Sequence, residues 1–165
     1  MNPTAEPGTT EGLVELDAVL RLLGRLEGGV VNVGHGRDRT SVRRARAFVD
    51  AWAARGGLIG AVVSWPPSAA SWLRPAERLA AGADLWVVAD TPAGWAGIGP
   101  RLAATASWRA DRTVAFPGLD DPTLPRLAGR AAVAGLSGVT HDGRTWSHDG
   151  QWLRSTGDGP AGAKA

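Results

Sequence analysis

The sequence predicts an α/β fold: a Rossmann-like three-layer α/β/α sandwich around a mostly parallel five-stranded sheet, closed by a small C-terminal β-hairpin meander. Three observations lead there. Short, almost wholly apolar runs such as LIGAVVSW (58–65) and DLWVVAD (84–90) read as strands covered on both faces. Stretches of helical apolar spacing alternate with them, which is the order of βαβ units. Two Asp-Gly pairs, at 142–143 and 149–150, fall near the end of the chain, where two-residue turns join antiparallel strands.

The elements follow in order. Leu13, Leu16, Val19, Leu20, Leu23 and Leu26 recur at helical spacing, and Gly28-Gly29 ends that helix. VVNV (30–33) is a buried strand. The next helix is capped by Asp38 or Thr40, carries Val42, Ala45, Phe48, Val49 and Trp52 on its apolar stripe, and stops at Gly56-Gly57. The strand 58–65 is closed by Pro66-Pro67. A helix within 68–82 is expected to be divided by Pro75, since an interior proline removes a backbone hydrogen bond. After strand 84–90, residues 91–105 are helical, RTVAF (112–116) is the fourth strand, LPRLAGR a short helix, and LSGVT (136–140) the fifth strand. GVTHDGRTWSHDGQWLR makes the meander. The Pro-, Gly- and Thr-rich ends, 1–10 and 155–165, are expected to be disordered tails around one domain at 11–154.

Composition excludes several classes. The 165 residues are 44% hydrophobic and 21% charged, which is globular. There is no cysteine, hence no disulfide and no thiolate metal site. No run reaches the roughly eighteen apolar residues of a membrane span, so no membrane insertion is expected. The first ten residues show neither a basic start nor an apolar stretch, so the chain as written reads as cytoplasmic. The net charge is only +2, and Arg43, Arg44 and Arg46 fall on the solvated face of a helix, so no nucleic-acid partner is expected. Eight tryptophans stand beside two phenylalanines and no tyrosine; they belong in the core or in the wall of a cleft.

In open parallel sheets ligands bind beyond the carboxyl ends of the strands. That rule selects the loops 34–38, 64–68, 90–95 and 116–121. The first, VVNVGHGRDRT, is no dinucleotide fingerprint, because Arg39 stands where the third glycine belongs, and no P-loop lysine exists in the chain. Two glycines permit a tight turn and Asp38 caps the helix, which explains the loop more simply than a bound phosphate. His35 could serve as nucleophile or base, but GHG lacks the preceding arginine of histidine phosphatases. His141 and His148 flank the hairpin turn, are expected at the surface, and make no metal-ligand spacing with His35. Asp120-Asp121 reads as a turn or helix cap. Asp90 either orients an ammonium or hydroxyl group in a cleft or caps the following helix. No catalytic residue, metal ligand or cofactor is assigned.

The run VNVGHGRDRTSVRRARAFVDAWAARGGLIGAVVSW resembles the strand–loop–helix–strand unit of type I periplasmic-binding proteins of the branched-chain amino-acid class. ASWLRPAERLAAGADLWVVADTPAGW is similar to that family's next unit, and RTVAF with GRAAVAGLSGVTHDG to its later strands. The resemblance extends over roughly residues 28 to 146. It implies one lobe of a solute-binding protein with a flavodoxin-type strand order. Its ligand contacts would be His35 with Asp38, Ser64 with Trp65, Asp90 with Thr91, and Phe116, with Trp95 beside the cleft. His35 stands where the family often has an aromatic side chain. The implied function is non-catalytic binding or sensing of an amino-acid-like small molecule. The alternatives are a small hydrolase or phosphatase using His35, and a protein-interaction module. The family is exported and has two lobes, whereas this chain has room for one. A homodimer or a partner protein is therefore expected to supply the other wall.

Overall fold

The protein is described here over residues 10–156 of a computed structural model. α1 (Thr10–Gly24) is followed by β1 (Val30–Gly36), α2 (Arg39–Ala54), β2 (Leu58–Trp65), α3 (Leu73–Ala80), β3 (Leu85–Ala89), α4 (Pro92–Ala103), β4 (Thr113–Ala115), α5 (Leu124–Ala128), β5 (Ser137–Val139), β6 (Thr145–His148) and β7 (Leu153–Thr156). Helix α1 thus opens at Thr10 and β7 runs to Thr156, past the expected domain limits on both sides. The rest of the expected tails lies outside the described residues.

One seven-stranded sheet runs in the order β2-β1-β3-β4-β5-β6-β7. The first five strands are mutually parallel and the last two antiparallel. The five-stranded parallel part and its flavodoxin-type order are as expected. The meander, however, extends the same sheet. Gly138 explains this: a Cβ there would lie 2.3 Å from Trp146, so the missing side chain lets the indole cross β5 and dock β6.

Each face of the sheet carries its own core. Val31, Val33, Leu85, Val87 and Ala89 pack under α1 and α2 with Phe48 and Leu23. Val63, Trp65, Trp86 and Val88 pack under α3, α4 and α5 with Leu79, Trp95 and Ile98. Alternation along β1 and β3 sends successive side chains to opposite cores. Two expectations need correcting. Pro75 does not divide a helix, because α3 starts at Leu73 and places the ring in the first turn, where no intrahelical N–H is needed. His148 is not at the surface: it is 2% exposed. β6 turns Trp146 and His148 to the same inward face, the two rings meet edge to face, and the imidazole Nε2 lies 3.1 Å from the Leu119 carbonyl. Burial lowers its pKa, against the Leu119 hydrogen bond and the charges of Asp149, Asp121 and Asp120, and so favours the neutral ring.

The pairing of β1 with β2 slips between Val31 and Val33. Asn32 fills the slip. Its Oδ1 accepts the Ala61 N–H at 2.7 Å, and its Nδ2 donates to the Leu79 and Ala81 carbonyls at 2.9 and 2.8 Å. Asn32→Leu would keep the volume but strand the Ala61 N–H and the Ala81 carbonyl. It is expected to lower stability by about 2 kcal/mol, read from the urea midpoint at unchanged slope.

Candidate functional site

In this strand order the chain leaves β1 toward β2 in one direction and proceeds from β3 toward β5 in the other. The reversal falls between β1 and β3, where an open parallel sheet parts its loops into a crevice. β1 ends there in Gly36, followed by Arg37 and Asp38; β3 ends in Ala89, followed by Asp90 and Thr91.

Asp90 is the centre of this rim. It is only 4% exposed. Its Oδ2 accepts the Trp65 indole N–H at 2.8 Å, and its Oδ1 accepts the Thr91 N–H at 2.8 Å. Three glycines make the space. A Cβ on Gly36 would come within 2.5 Å of Asp90 Oδ1, and one on Gly94 within 2.2 Å of the same atom. One on Gly118, whose φ is +125°, would come within 2.5 Å of the Asp90 carbonyl oxygen. Thr91, not Asp90, caps α4, accepting the Gly94 N–H at 3.2 Å. Asp38 caps α2 through the Ser41 N–H at 3.0 Å, and its Oδ1 would lie 3.0 Å from that same Gly36 Cβ. Both carboxylates thus border Gly36.

Their electrostatics diverge. Burial raises the Asp90 pKa to about 6, opposed by the Trp65 and Thr91 hydrogen bonds and reinforced by the negative charge of Asp38. Burial also pushes Asp38 upward, but its bonds to Ser41 and the charge of Arg44 outweigh that and hold it below the usual carboxylate range. The rim therefore carries one firmly ionised carboxylate and one that exchanges its proton near neutrality. Perturbed groups of this kind concentrate at functional sites.

The structure brings Asp38, Trp65, Asp90 and Thr91 together. Ser64 pairs with His35 in the β1/β2 register and so points to the α1/α2 face, its hydroxyl 3.4 Å from Arg37 Nε. His35 pairs with Ala89, whose side chain belongs to the α1/α2 core, so alternation turns the imidazole to the sheet face opposite Asp90. Its Nδ1 lies 2.6 Å from the Gly36 carbonyl oxygen. Trp95 is fully buried and donates to the Ala132 carbonyl at 3.0 Å. Phe116 is buried on the α1/α2 side, where with Leu13, Leu16 and Ala47 it borders a cavity of about 110 Å³. His35, Ser64 and Phe116 thus lie on the sheet face opposite the Asp90 carboxylate, while Trp95 is taken up by the core on its own side. The glycines at 36, 94 and 118 were not anticipated as site residues. In the sequence only the Gly34-His35-Gly36 pattern signals one of them, and as a tight turn.

A second polar cluster lies beside that cavity. Arg44 grips buried Glu15 through two bonds of 2.9 Å and donates to the Pro117 carbonyl at 2.9 Å, while exposed His141 places Nδ1 2.7 Å from Glu15. It clamps α1, α2 and the loop after β4 together. Among the described residues, no three His, Asp or Glu side chains converge to hold a metal ion.

Among solved structures, the chain is similar to a substrate-binding periplasmic protein from Ralstonia solanacearum (TM-score 0.60, 20% identity, 74% of this chain and 35% of that one). It is also similar to a branched-chain amino acid ABC transporter periplasmic ligand-binding protein from Burkholderia xenovorans (TM-score 0.58, 16% identity, 79% and 34%). A third such structure is a fatty acid ABC transporter substrate-binding protein from Thermomonospora curvata (TM-score 0.59, 14% identity, 79% and 34%). The fold is that of one periplasmic-binding-protein lobe. No family model and no curated protein matches the sequence. This periplasmic-binding-protein-like chain spans about a third of the length of those structures. Two of the three are described as periplasmic, so the cytoplasmic expectation finds no support in them. No described helix is long and apolar enough to cross a membrane.

Proposed function

We propose that this chain is a non-catalytic ligand-binding lobe of solute-binding type, acting outside the cytoplasm. It takes a small amino-acid-like molecule at the β1/β3 rim, and a second lobe forms the other wall. The observation that carries this reading is Asp90, a buried carboxylate at the switch point of the sheet, packed into the room that Gly36 and Gly94 leave for it. Its bonds to Trp65 and Thr91 serve the fold, but burial opposes its ionisation. A ligand ammonium would favour its charged form, and ionised Asp38 adds to the attraction. The solute-binding character of the structural neighbours supports the same class of ligand. His35 is turned away from Asp90, and its Nδ1 faces the Gly36 carbonyl, which gives the hydrolase alternative no acid–base pair at this rim.

The test is a thermal-shift and tryptophan-fluorescence titration with millimolar amino acids, small amines and small carboxylates. An ammonium-bearing ligand is expected to raise the melting temperature of the parent and to leave Asp90→Asn unmoved, with the Trp65 signal changing in step. An equal shift in Asp90→Asn, or silence across the whole panel, overturns the reading.

A further inference from the structure

The hollow between α1 and α2 lies apart from the Asp90 rim. It measures about 110 Å³ and is bounded by Gly12, Leu13 and Leu16 of α1, Ala47 of α2 and Phe116 after β4. Phe116 is buried and forms the floor, whereas Leu13 is 62% exposed and stands at the lip. The charges in its wall are already matched, since both Glu15 oxygens accept from Arg44. What the hollow presents to a guest is therefore hydrocarbon. An apolar cavity of roughly 150 Å³ takes up benzene, so this one has room for a single ring or a chain of about four to six carbons.

The lip has a charge. Arg43, one turn before Ala47, also bounds the hollow. The same two residues border an open groove along the outside of α2, together with Arg39, Val42, Arg46 and Asp50. Cavity and groove thus meet at Arg43 and Ala47. Spacings of three and four residues set Arg39, Arg43 and Arg46 along one side of the helix. All three are exposed, and among the described residues none of them forms a side-chain ion pair. Asp50 is the acid that borders the groove, against three cations.

We propose that this hollow is a second small-molecule site, for a monocarboxylate with a compact apolar body. The ring or chain lies on Phe116 between Leu13, Leu16 and Ala47, and the carboxylate meets the Arg43 guanidinium at the lip. Burial of the apolar body supplies the attraction, and the arginine fork selects the negative head. Arg39 and Arg46 add to the positive field there. The site is independent of the ligand reading at Asp90, because it lies between helices and not at the strand ends, and because it takes no ammonium group.

The probes are benzoate, benzyl alcohol as a ring of similar size without the charge, and acetate as the head without the ring. In titration calorimetry with the full chain, benzoate should bind at one site, benzyl alcohol about tenfold more weakly, and acetate not measurably. Arg43→Gln should weaken benzoate about tenfold and leave benzyl alcohol unchanged. Ala47→Leu, which fills the hollow, should bind neither, at a melting temperature no lower than the parent's. Asp90→Asn should bind benzoate as the parent does. Arg43 is exposed, so its variant stays folded and decides the question even where Ala47→Leu does not fold. Silence with benzoate, equal binding of benzoate and benzyl alcohol, an unchanged benzoate affinity in Arg43→Gln, parent-like binding by folded Ala47→Leu, or loss of benzoate binding in Asp90→Asn overturns the proposal.

Discussion

Glu15→Ala is expected to cost about 3–5 kcal/mol of folding stability, the penalty for removing one member of a buried ion pair. The reason lies in what remains. The Arg44 side chain is 11% exposed, and its guanidinium donates to both Glu15 oxygens and to the Pro117 carbonyl. Without Glu15 it keeps a full charge next to the apolar cavity lined by Leu13, Leu16 and Phe116. Arg44→Met should be costly for the mirror reason, leaving a buried carboxylate with only exposed His141 beside it. The double variant Glu15→Met/Arg44→Met should recover much of the loss, because apolar groups of similar volume replace a buried pair with little penalty. His141→Ala should cost less than about 1 kcal/mol, since its side chain is largely in water. Urea unfolding of the four variants tests the scheme, and equal losses in the single and double variants would contradict it.

Asp90→Asn should abolish a pH dependence that the parent shows. The Asp90 carboxyl has a pKa of about 6 in the folded chain against 3.8 as its ordinary value. The folded state thus holds the proton more tightly. Its contribution to stability is full below 3.8 and is lost as the pH rises through about 6. A difference of that size corresponds to about 3 kcal/mol. The stability of Asp90→Asn relative to the parent should therefore rise by about 3 kcal/mol between roughly pH 3 and pH 7. Taking the difference at two pH values cancels the constant cost of replacing a two-oxygen acceptor by an amide. It also cancels titrations common to both proteins, His148 included. A flat difference would mean that water reaches the carboxylate.

The layered architecture was legible because parallel strands covered on both faces are apolar at every position. Leu85 through Ala89 are all buried, and DLWVVAD shows it without any neighbour being known. Strand order came only from the family resemblance, since it depends on pairings between segments far apart in the chain. The same distance limited the site. Asp38, Asp90 and Thr91 could be found because each directly follows a strand. Gly36 and Gly94 could not, because their role is to leave room for a carboxylate that a different segment brings in. Register decided the rest. His35 and Asp90 share a rim, yet pairing of His35 with Ala89 sends their side chains to opposite faces. Trp95 and Phe116 stand in the right loops, but both are needed in the cores. His148 looked like a hairpin residue until β6 joined the sheet.

The carbonyl of Leu79, near the end of α3, accepts from two directions at once: Asn32 Nδ2 of β1 at 2.9 Å and Trp86 Nε1 of β3 at 2.7 Å. A helix riveted to two adjacent strands at one atom cannot slide along the sheet without breaking both bonds together. That disfavours shear within the lobe and leaves hinge rotation as the route by which such a body approaches whatever stands opposite it. Any closure over a bound molecule would then be a movement of the lobe as a whole, with the Asp90 rim carried intact.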